Sequence, residues 1–417
     1  MRRTAEVVLV QLRRAVLGAA SGALAGLGAF VFLEGLDRVT RFRIAHPPII
    51  WFLPLVGLVL GLVYHYGAGE ARRGNALLLE QIHEPSGWVP RRMAPLIVLG
   101  TWTTHLFGGS AGREGTALQM SASLTDSMSR LLRLDDPERR LMVQAALASG
   151  FGAVFGVPVA GAVFALEVPR LGRMRFEALL PAMVGSIVGD RVVRGLGYHH
   201  ARYLELRPHI DGVVVAKIVV AGFAFGATAW AFSSLAHAIQ RSLTRVVWPP
   251  LRPAIGGVAI LVLVPLVGRD YLGLSTPLAA HALAGLHTAP WVFALKLLFT
   301  AITLGAAFPG GEVTPLFVMG ATLGSTLSGP LHADPRLLAA VGFVAVFAGA
   351  SNTPITCTIL ALELFGGAGA SVFFVGCVVS YVCSGHAGIY ATQRVDVTKY
   401  GSVLESDVAL RDLPHDE

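Results

Sequence analysis

Three glycine-containing stretches stand directly before apolar runs, and each can expose the unpaired start of a helix. They are Arg73-Gly74-Asn75-Ala76, Gly108 through Gly115, and Phe308 through Pro315. A helix start leaves backbone N–H groups without partners and carries about half a positive charge. Glycine lets a ligand approach that backbone closely. Within a bilayer such starts can replace an anion's water shell without a fixed cation. A Lys or Arg at the bilayer centre costs several kcal/mol and would trap the ion it should release. Asn75, Gly112, Arg113, Gly115, Val313 and Thr314 are therefore the candidate anion-binding residues. Glu114, between Arg113 and Gly115, can dock its carboxylate on the same N–H groups. It would compete with the ion when charged and withdraw when protonated. A first-turn helix cap is the competing reading of this glutamate, and of Glu312 as well. Tyr390, near the last apolar segment, could donate a phenolic hydrogen bond to a desolvated anion, or belong to an interfacial aromatic belt.

The elements that must position these residues belong to a membrane protein. Hydrophobic residues make up 54% of the 417 and charged residues only 14%, against about 25% charge in a soluble domain. The mean hydropathy is +0.63. Uncharged runs cover Ala15 to Leu33, Ala178 to Gly189, Ile218 to Gln240 and Gly366 to Ser384. Some reach the roughly 20 residues that span a bilayer, and others are shorter and broken by Gly or Pro. The net charge of +7 comes from short clusters beside apolar runs: Arg2, Arg3, Arg13 and Arg14; Arg72 and Arg73; Arg91 and Arg92; Arg139 and Arg140. Topogenic charge on the cytoplasmic side explains them, with a cytoplasmic N-terminus and no nucleic-acid partner. The first apolar run is too long for a signal peptide and reads as a retained helix. Cys357, Cys377 and Cys383 all lie in apolar segments, which argues against disulfides and thiolate metal sites. No metal or cofactor is expected.

The chain also repeats itself. Phe151 to Pro158 and Ala165-Leu166-Glu167 match Phe347 to Pro354 and Ala361-Leu362-Glu363 at one offset of 196. Gly112, Met120, Ala122 and Leu124 match Gly311, Met319, Ala321 and Leu323 at an offset of 199. Repeated halves are a transporter plan whose sites lie where broken helices from both halves meet. Glu167 and Glu363 fall at equivalent places, so a shared structural role in binding loop amides is expected of both. His105, before the glycine loop, reads as a buried histidine bonded to a carbonyl. His199, His200 and His209 fall in the inter-repeat loop. An enzyme reading finds only fragments of motif: Cys383-Ser384-Gly385-His386 places a histidine poorly as a base, and Glu80-Gln81-Ile82-His83-Glu84 has one His where a metal box needs two. No enzymatic activity is expected.

These motifs together resemble the CLC family of anion channels and anion/proton antiporters over roughly Leu17 to Tyr390. Gly112-Arg113-Glu114-Gly115 matches the family's Gly-Lys/Arg-Glu-Gly-Pro signature, with Thr116 in place of proline. Gly311 to Pro315 matches Gly-x-Phe-x-Pro, with Val313 in place of phenylalanine. Phe164-Ala165-Leu166-Glu167 is similar to the Phe-x-x-Glu segment, and Tyr390 falls at the pore tyrosine. The first signature, Gly-Ser-Gly-Ile-Pro, is replaced by Gly74-Asn75-Ala76-Leu77-Leu78. That replacement, with Gly-Arg-Glu-Gly-Thr and Gly-Gly-Glu-Val-Thr-Pro, is most similar to the fluoride-exporting branch, CLC-F. Glu167 is followed by Val168, where chloride antiporters carry a second acid, which disfavours a chloride-type exchanger.

The resemblance implies an all-α integral membrane protein of two inverted-topology repeats of tilted and broken helices, forming a homodimer with one pathway per protomer. It implies Glu114 as the gating and proton-carrying glutamate, with Glu312 and Thr314 in fluoride and proton handling. The expected layout is a cytoplasmic N-terminal segment (1–14), a first membrane repeat (15–205), a second (206–394), and a tail without a regulatory domain (395–417). The expected function is export of fluoride in exchange for protons across a bacterial inner membrane. A chloride channel or chloride/proton antiporter of the same family is the alternative.

Overall fold

A computed structural model describes residues 2–201 and 203–413, apart from the side chains of residues 2–4, 405 and 406. The charges expected of Arg2 and Arg3, and the end of the C-terminal tail, thus lie outside the described residues. Sixteen α-helices form among those described. The first eight are α1 (Arg2–Ala45), α2 (Leu53–Gly67), α3 (Asn75–His83), α4 (Met93–Leu106), α5 (Glu114–Leu131), α6 (Asp136–Phe155), α7 (Pro158–Glu167) and α8 (Leu179–Gly195). The next eight are α9 (Gly212–Val246), α10 (Leu251–Val267), α11 (Thr276–Leu283), α12 (Val292–Gly305), α13 (Val313–Ser328), α14 (Pro335–Ser351), α15 (Pro354–Phe365) and α16 (Ala370–Cys383). The repeated motifs fall at corresponding places: α5 to α7 in the first set and α13 to α15 in the second.

Ala5–Ala45, Pro47–Gly67 and Gly212–Val246 are long and apolar enough to cross a membrane. The others are shorter, and several of the shortest begin at a Gly or Pro that stops the chain before it. The nine-residue α3 follows Gly74, whose φ of +56 lies in the left-handed region that glycine tolerates. The residues 2–14, set apart from the first span in the sequence reading, continue α1 without a break. No proline interrupts Arg2 to Ala45, and Arg13 pairs with Glu138 at 2.9 Å.

Small residues bring helix backbones together, as they do where lipid rather than water surrounds a bundle. A Cβ on Gly18, Gly22 or Gly26 of α1 would lie 2.6, 2.3 or 2.7 Å from the carbonyls of Pro181, Gly185 and Gly189 of α8. The tightest crossing joins α13 and α14, where a Cβ on Gly320 would sit 1.9 Å from the Gly342 carbonyl. Backbone cannot move aside as a flexible side chain can. Gly320→Ala is expected to destabilise the fold by about 1–3 kcal/mol, read as a lower unfolding temperature in detergent. An unchanged temperature would mean that α13 and α14 pack less closely than described.

The two halves clasp each other reciprocally. Glu167, ending α7, accepts the Ile355 and Thr356 amides at 3.0 and 2.7 Å, and the Thr356 hydroxyl at 2.6 Å, at the start of α15. Glu363 on α15 accepts the Val159 and Ala160 amides at 3.0 and 2.7 Å, at the start of α7. Each glutamate binds backbone amides of the other half, a shared role as expected, but the amides belong to helix starts and not to loops.

A buried ion pair fixes the region between α3 and α6. Arg139 bonds Asp126 through Nε at 2.6 Å and Nη2 at 3.1 Å, and Gln81 at 2.9 Å. Its guanidinium lies 4.6 Å from the Trp88 ring centroid, and Asp126 also accepts the Val89 amide at 2.6 Å.

The stretch read as a tail contains a small antiparallel hairpin, β1 (Arg394–Val397) and β2 (Val403–Ala409). It is tied to the segment after α7: the Leu171 amide donates to the Arg394 carbonyl at 2.9 Å, and the Arg394 amide to the Pro169 carbonyl at 3.1 Å.

Candidate anion site at the crossing of α5 and α13

The helix starts of α5 and α13 meet through two glycines. Gly112 donates its N–H to the Gly311 carbonyl at 2.6 Å, and Gly311 returns the bond at 3.1 Å. Side chains are excluded by what lies against them. A Cβ on Gly112 would come 2.4 Å from Glu114 Oε2, and one on Gly311 would come 2.7 Å from the Gly115 nitrogen. The glycines thus make the space in which the Glu114 carboxyl sits.

Glu114 is the first residue of α5 and is 1% exposed. Its Oε2 accepts the Arg113 amide at 3.0 Å, and its Oε1 accepts the hydroxyl of Thr314, the second residue of α13. The carboxyl is therefore held by donors from both halves. A simple cap would bond only its own helix.

Two cavities approach this crossing and share no lining residue. One, of about 280 Å³, is lined by Asn75, Gln119, Glu312 and Tyr390, with His237 on α9. The other, of about 610 Å³, is lined by Arg113, Thr314, Tyr198 and Phe317, with Asp37 on α1. Glu114 lines neither cavity; it stands between them through its bond to Thr314.

The residues singled out from sequence divide across this arrangement. Gly112, Gly115, Glu114, Val313 and Thr314 come together at the crossing. Asn75 reaches it as well: a Cβ on Gly115 would be 3.4 Å from Asn75 Nδ2. Glu312 makes no side-chain cap bond to α13 and instead lines the Asn75 cavity. Tyr390 is 4% exposed, which removes the belt reading, and its hydroxyl is buried without a partner among the described residues. Arg113 contributes its amide to the crossing, but its guanidinium turns into the other cavity, 5.5 Å from the Phe155 ring centroid.

Several groups at the site were not found from sequence. Gln119, one turn along α5 from Gly115, donates to Asn75 Oδ1 at 3.4 Å. Its spacing of four from Gly115 was the available signal. Thr116, which replaces the signature proline, pairs with the Thr101 hydroxyl at 2.6 Å and locks α5 to α4. Lys296, a lone cation in the apolar α12, is fully buried. It donates to Gly273 O at 2.7 Å, to Ser110 Oγ and Ser275 Oγ at 2.9 Å each, and to Tyr271 O at 3.3 Å. It anchors the loop that leads into Gly112. His105, also buried, has Nε2 3.5 Å from the Gly112 carbonyl, near the partner expected for it.

Broken helices from two repeated halves, meeting head-on at glycines around one buried carboxyl, define a membrane transport protein built for a small anion. The chain matches the family model described as voltage gated chloride channel over residues 56–385, and it belongs to that family, the CLC channels and transporters. It is 42% identical over 400 residues to a chloride/fluoride channel protein of Pseudomonas syringae pv. tomato, covering 94% of this chain and 88% of that one. It is 25% identical to the H(+)/Cl(-) exchange transporter ClcA of Cronobacter sakazakii, covering 84% of this chain and 81% of that one. Among solved structures, a CLC-type fluoride/proton antiporter superposes with a TM-score of 0.89 at 31% identity, covering 92% of this chain and 98% of that one. A slow cyanobacterial Cl-/H+ antiporter gives a TM-score of 0.77 at 16% identity, with 89% and 94% covered, and shares the fold.

Proposed function

We propose that the protein exports fluoride in exchange for protons, with Glu114 as both gate and proton carrier. The observation that carries this reading is the Glu114 carboxyl, held by donors of both halves between two separate cavities. As a carboxylate it occupies the helix-start donors that an entering anion needs. Once protonated it loses its charge, releases those donors, and the anion takes its place. Each swing of one carboxyl therefore links one proton position to one anion position.

Fluoride is small and strongly hydrated, so it must exchange its water for several short hydrogen bonds. The amides at Arg113, Gly115 and Val313, with the Thr314 hydroxyl, the Asn75 amide and the unpartnered Tyr390 hydroxyl, are suited to that, while Gly112 keeps its own amide on the Gly311 carbonyl. Glu312, in the Asn75 cavity, takes protons to and from Glu114. The similarity to a chloride/fluoride channel protein and to a fluoride/proton antiporter supports fluoride as the substrate. The same reading places a homodimer in the cell membrane with its N-terminus and the Asn75 cavity on the cytoplasmic side.

The test uses purified protein in liposomes loaded with fluoride or chloride, with ion-selective and pH electrodes. Fluoride efflux well above chloride efflux, accompanied by protons moving the other way, is the expected result. Chloride moving as fast as fluoride without protons would sink the reading and leave a chloride channel.

A further inference from the structure

The two voids that reach Asn75 and Tyr390 differ in what they can carry. The one lined by Leu78, Leu118, Leu147, Phe164 and Val168 amounts to about 10 Å³. A single water needs roughly 10–15 Å³ and polar partners, so this apolar void cannot hold a chain of waters. The Asn75 cavity, at about 280 Å³, holds several. This cavity gives water a route to Glu312.

That cavity has a polar stripe along α9. Ser233, His237 and Gln240 lie at i, i+4 and i+7, one above another on one helix face, and all three line it. The Ser233 hydroxyl is buried without a partner among the described residues. Arg73, Asn75, Gln119, Glu312 and Tyr390, from other elements, line the same cavity. Arg73 is held by Glu80 and, at 3.3 Å, by Glu70, and remains a fixed cation. Arg241 follows His237 on α9, while α12 brings only Leu304 and Gly305. Of all these groups, imidazole is the one whose ordinary titration lies near neutral pH.

We propose that His237 relays protons between the aqueous Asn75 cavity and Glu312, with Ser233 and Gln240 aligning the waters between them. One ring nitrogen takes a proton from water while the other passes one on toward the Glu312 carboxyl; the imidazole stays neutral overall but ends as its other tautomer, and a turn of the ring or return of the proton through cavity water resets it before the next transfer. The proposal rests on the antiport reading above.

The experiment measures fluoride-driven proton movement by the full-length protein in liposomes as a function of pH, for the wild type, His237→Asn, His237→Gln and Ser233→Ala. His281→Asn, an exposed histidine on α11, is the control. Both His237 variants should lower the coupled rate at least about tenfold and change the shape of the pH profile. Added imidazole should restore part of the rate, and the control should match the wild type. Coupled rates within about twofold of wild type, with the profile intact, would overturn the relay while leaving antiport standing. A lowered rate with an unchanged profile and no imidazole rescue would make His237 structural and also overturn it. A wild type that moves fluoride without protons would remove relay and antiport together.

Discussion

Glu114→Gln is expected to abolish proton movement, with a fall of at least about 100-fold, while the protein still folds. Glutamine has the same shape but takes up no proton between the two cavities. Its amide can present oxygen to the Arg113 amide, which lies 3.0 Å from the native carboxylate, while its NH2 group donates to the Thr314 hydroxyl, which turns from donor to acceptor. The variant therefore loses the charge and the titratable proton while both bonds that park the side chain can still form. Proton flux in fluoride-loaded liposomes checks the first effect. Thermal unfolding of the same sample separates loss of transport from loss of fold. Proton exchange at the wild-type rate in this variant would move the carrier elsewhere, with Glu312 the next carboxyl to test.

Asp126→Ala should cause the largest loss of stability of any change considered. The Arg139 and Asp126 side chains are 4% and 0% exposed, so removal of Asp126 strands a cation in the interior and leaves the Val89 amide without its acceptor. Breaking one partner of a buried pair costs about 3–5 kcal/mol. The unfolding temperature in detergent should fall sharply, and the yield of folded protein with it. Joint replacement, Asp126→Leu with Arg139→Met, should recover much of the loss, because no lone charge remains. If the double variant were as unstable as Asp126→Ala, packing around Trp88 rather than charge would be the controlling factor.

The parts of this site that could be read from sequence share a property: their chemistry is local. Gly112 and Gly311 declare a close approach because they open apolar helices in both repeats, and Glu114 is conspicuous as an acid among them. Glu167 and Glu363 were paired by their offset, which also indicated their common role. Groups whose meaning depends on a distant partner were hidden. Lys296 finds its acceptors at Ser110, Tyr271, Gly273 and Ser275, and nothing in α12 alone points to them. Thr116 could be seen as a departure from the signature, but not as half of a hydroxyl pair with Thr101. Arg113 was identified by position, yet spacing along a chain does not say which of two cavities a long side chain enters. The hairpin after α16 was read as a tail because its strands are short and mixed in composition, and its anchor on Pro169 to Leu171 lies more than 200 residues away.

The reciprocal glutamates also bear on where the molecule came from. Glu167 serves the helix that carries Glu363, and Glu363 serves the helix that carries Glu167. Gly112 and Gly311 exchange their bonds in the same way. A contact in which residue i meets j and j meets i is the signature of an isologous dimer. A chain of half this length, bearing one such glutamate and one such glycine, would make every one of these bonds by pairing with a copy of itself. Joining two copies end to end needs only a connection such as the extended stretch between α8 and α9. Once joined, the halves were free to diverge at the crossing, where Glu114 and Gly115 of one stand opposite Val313 and Thr314 of the other. A symmetric clasp thus holds together a crossing whose two sides carry different side chains.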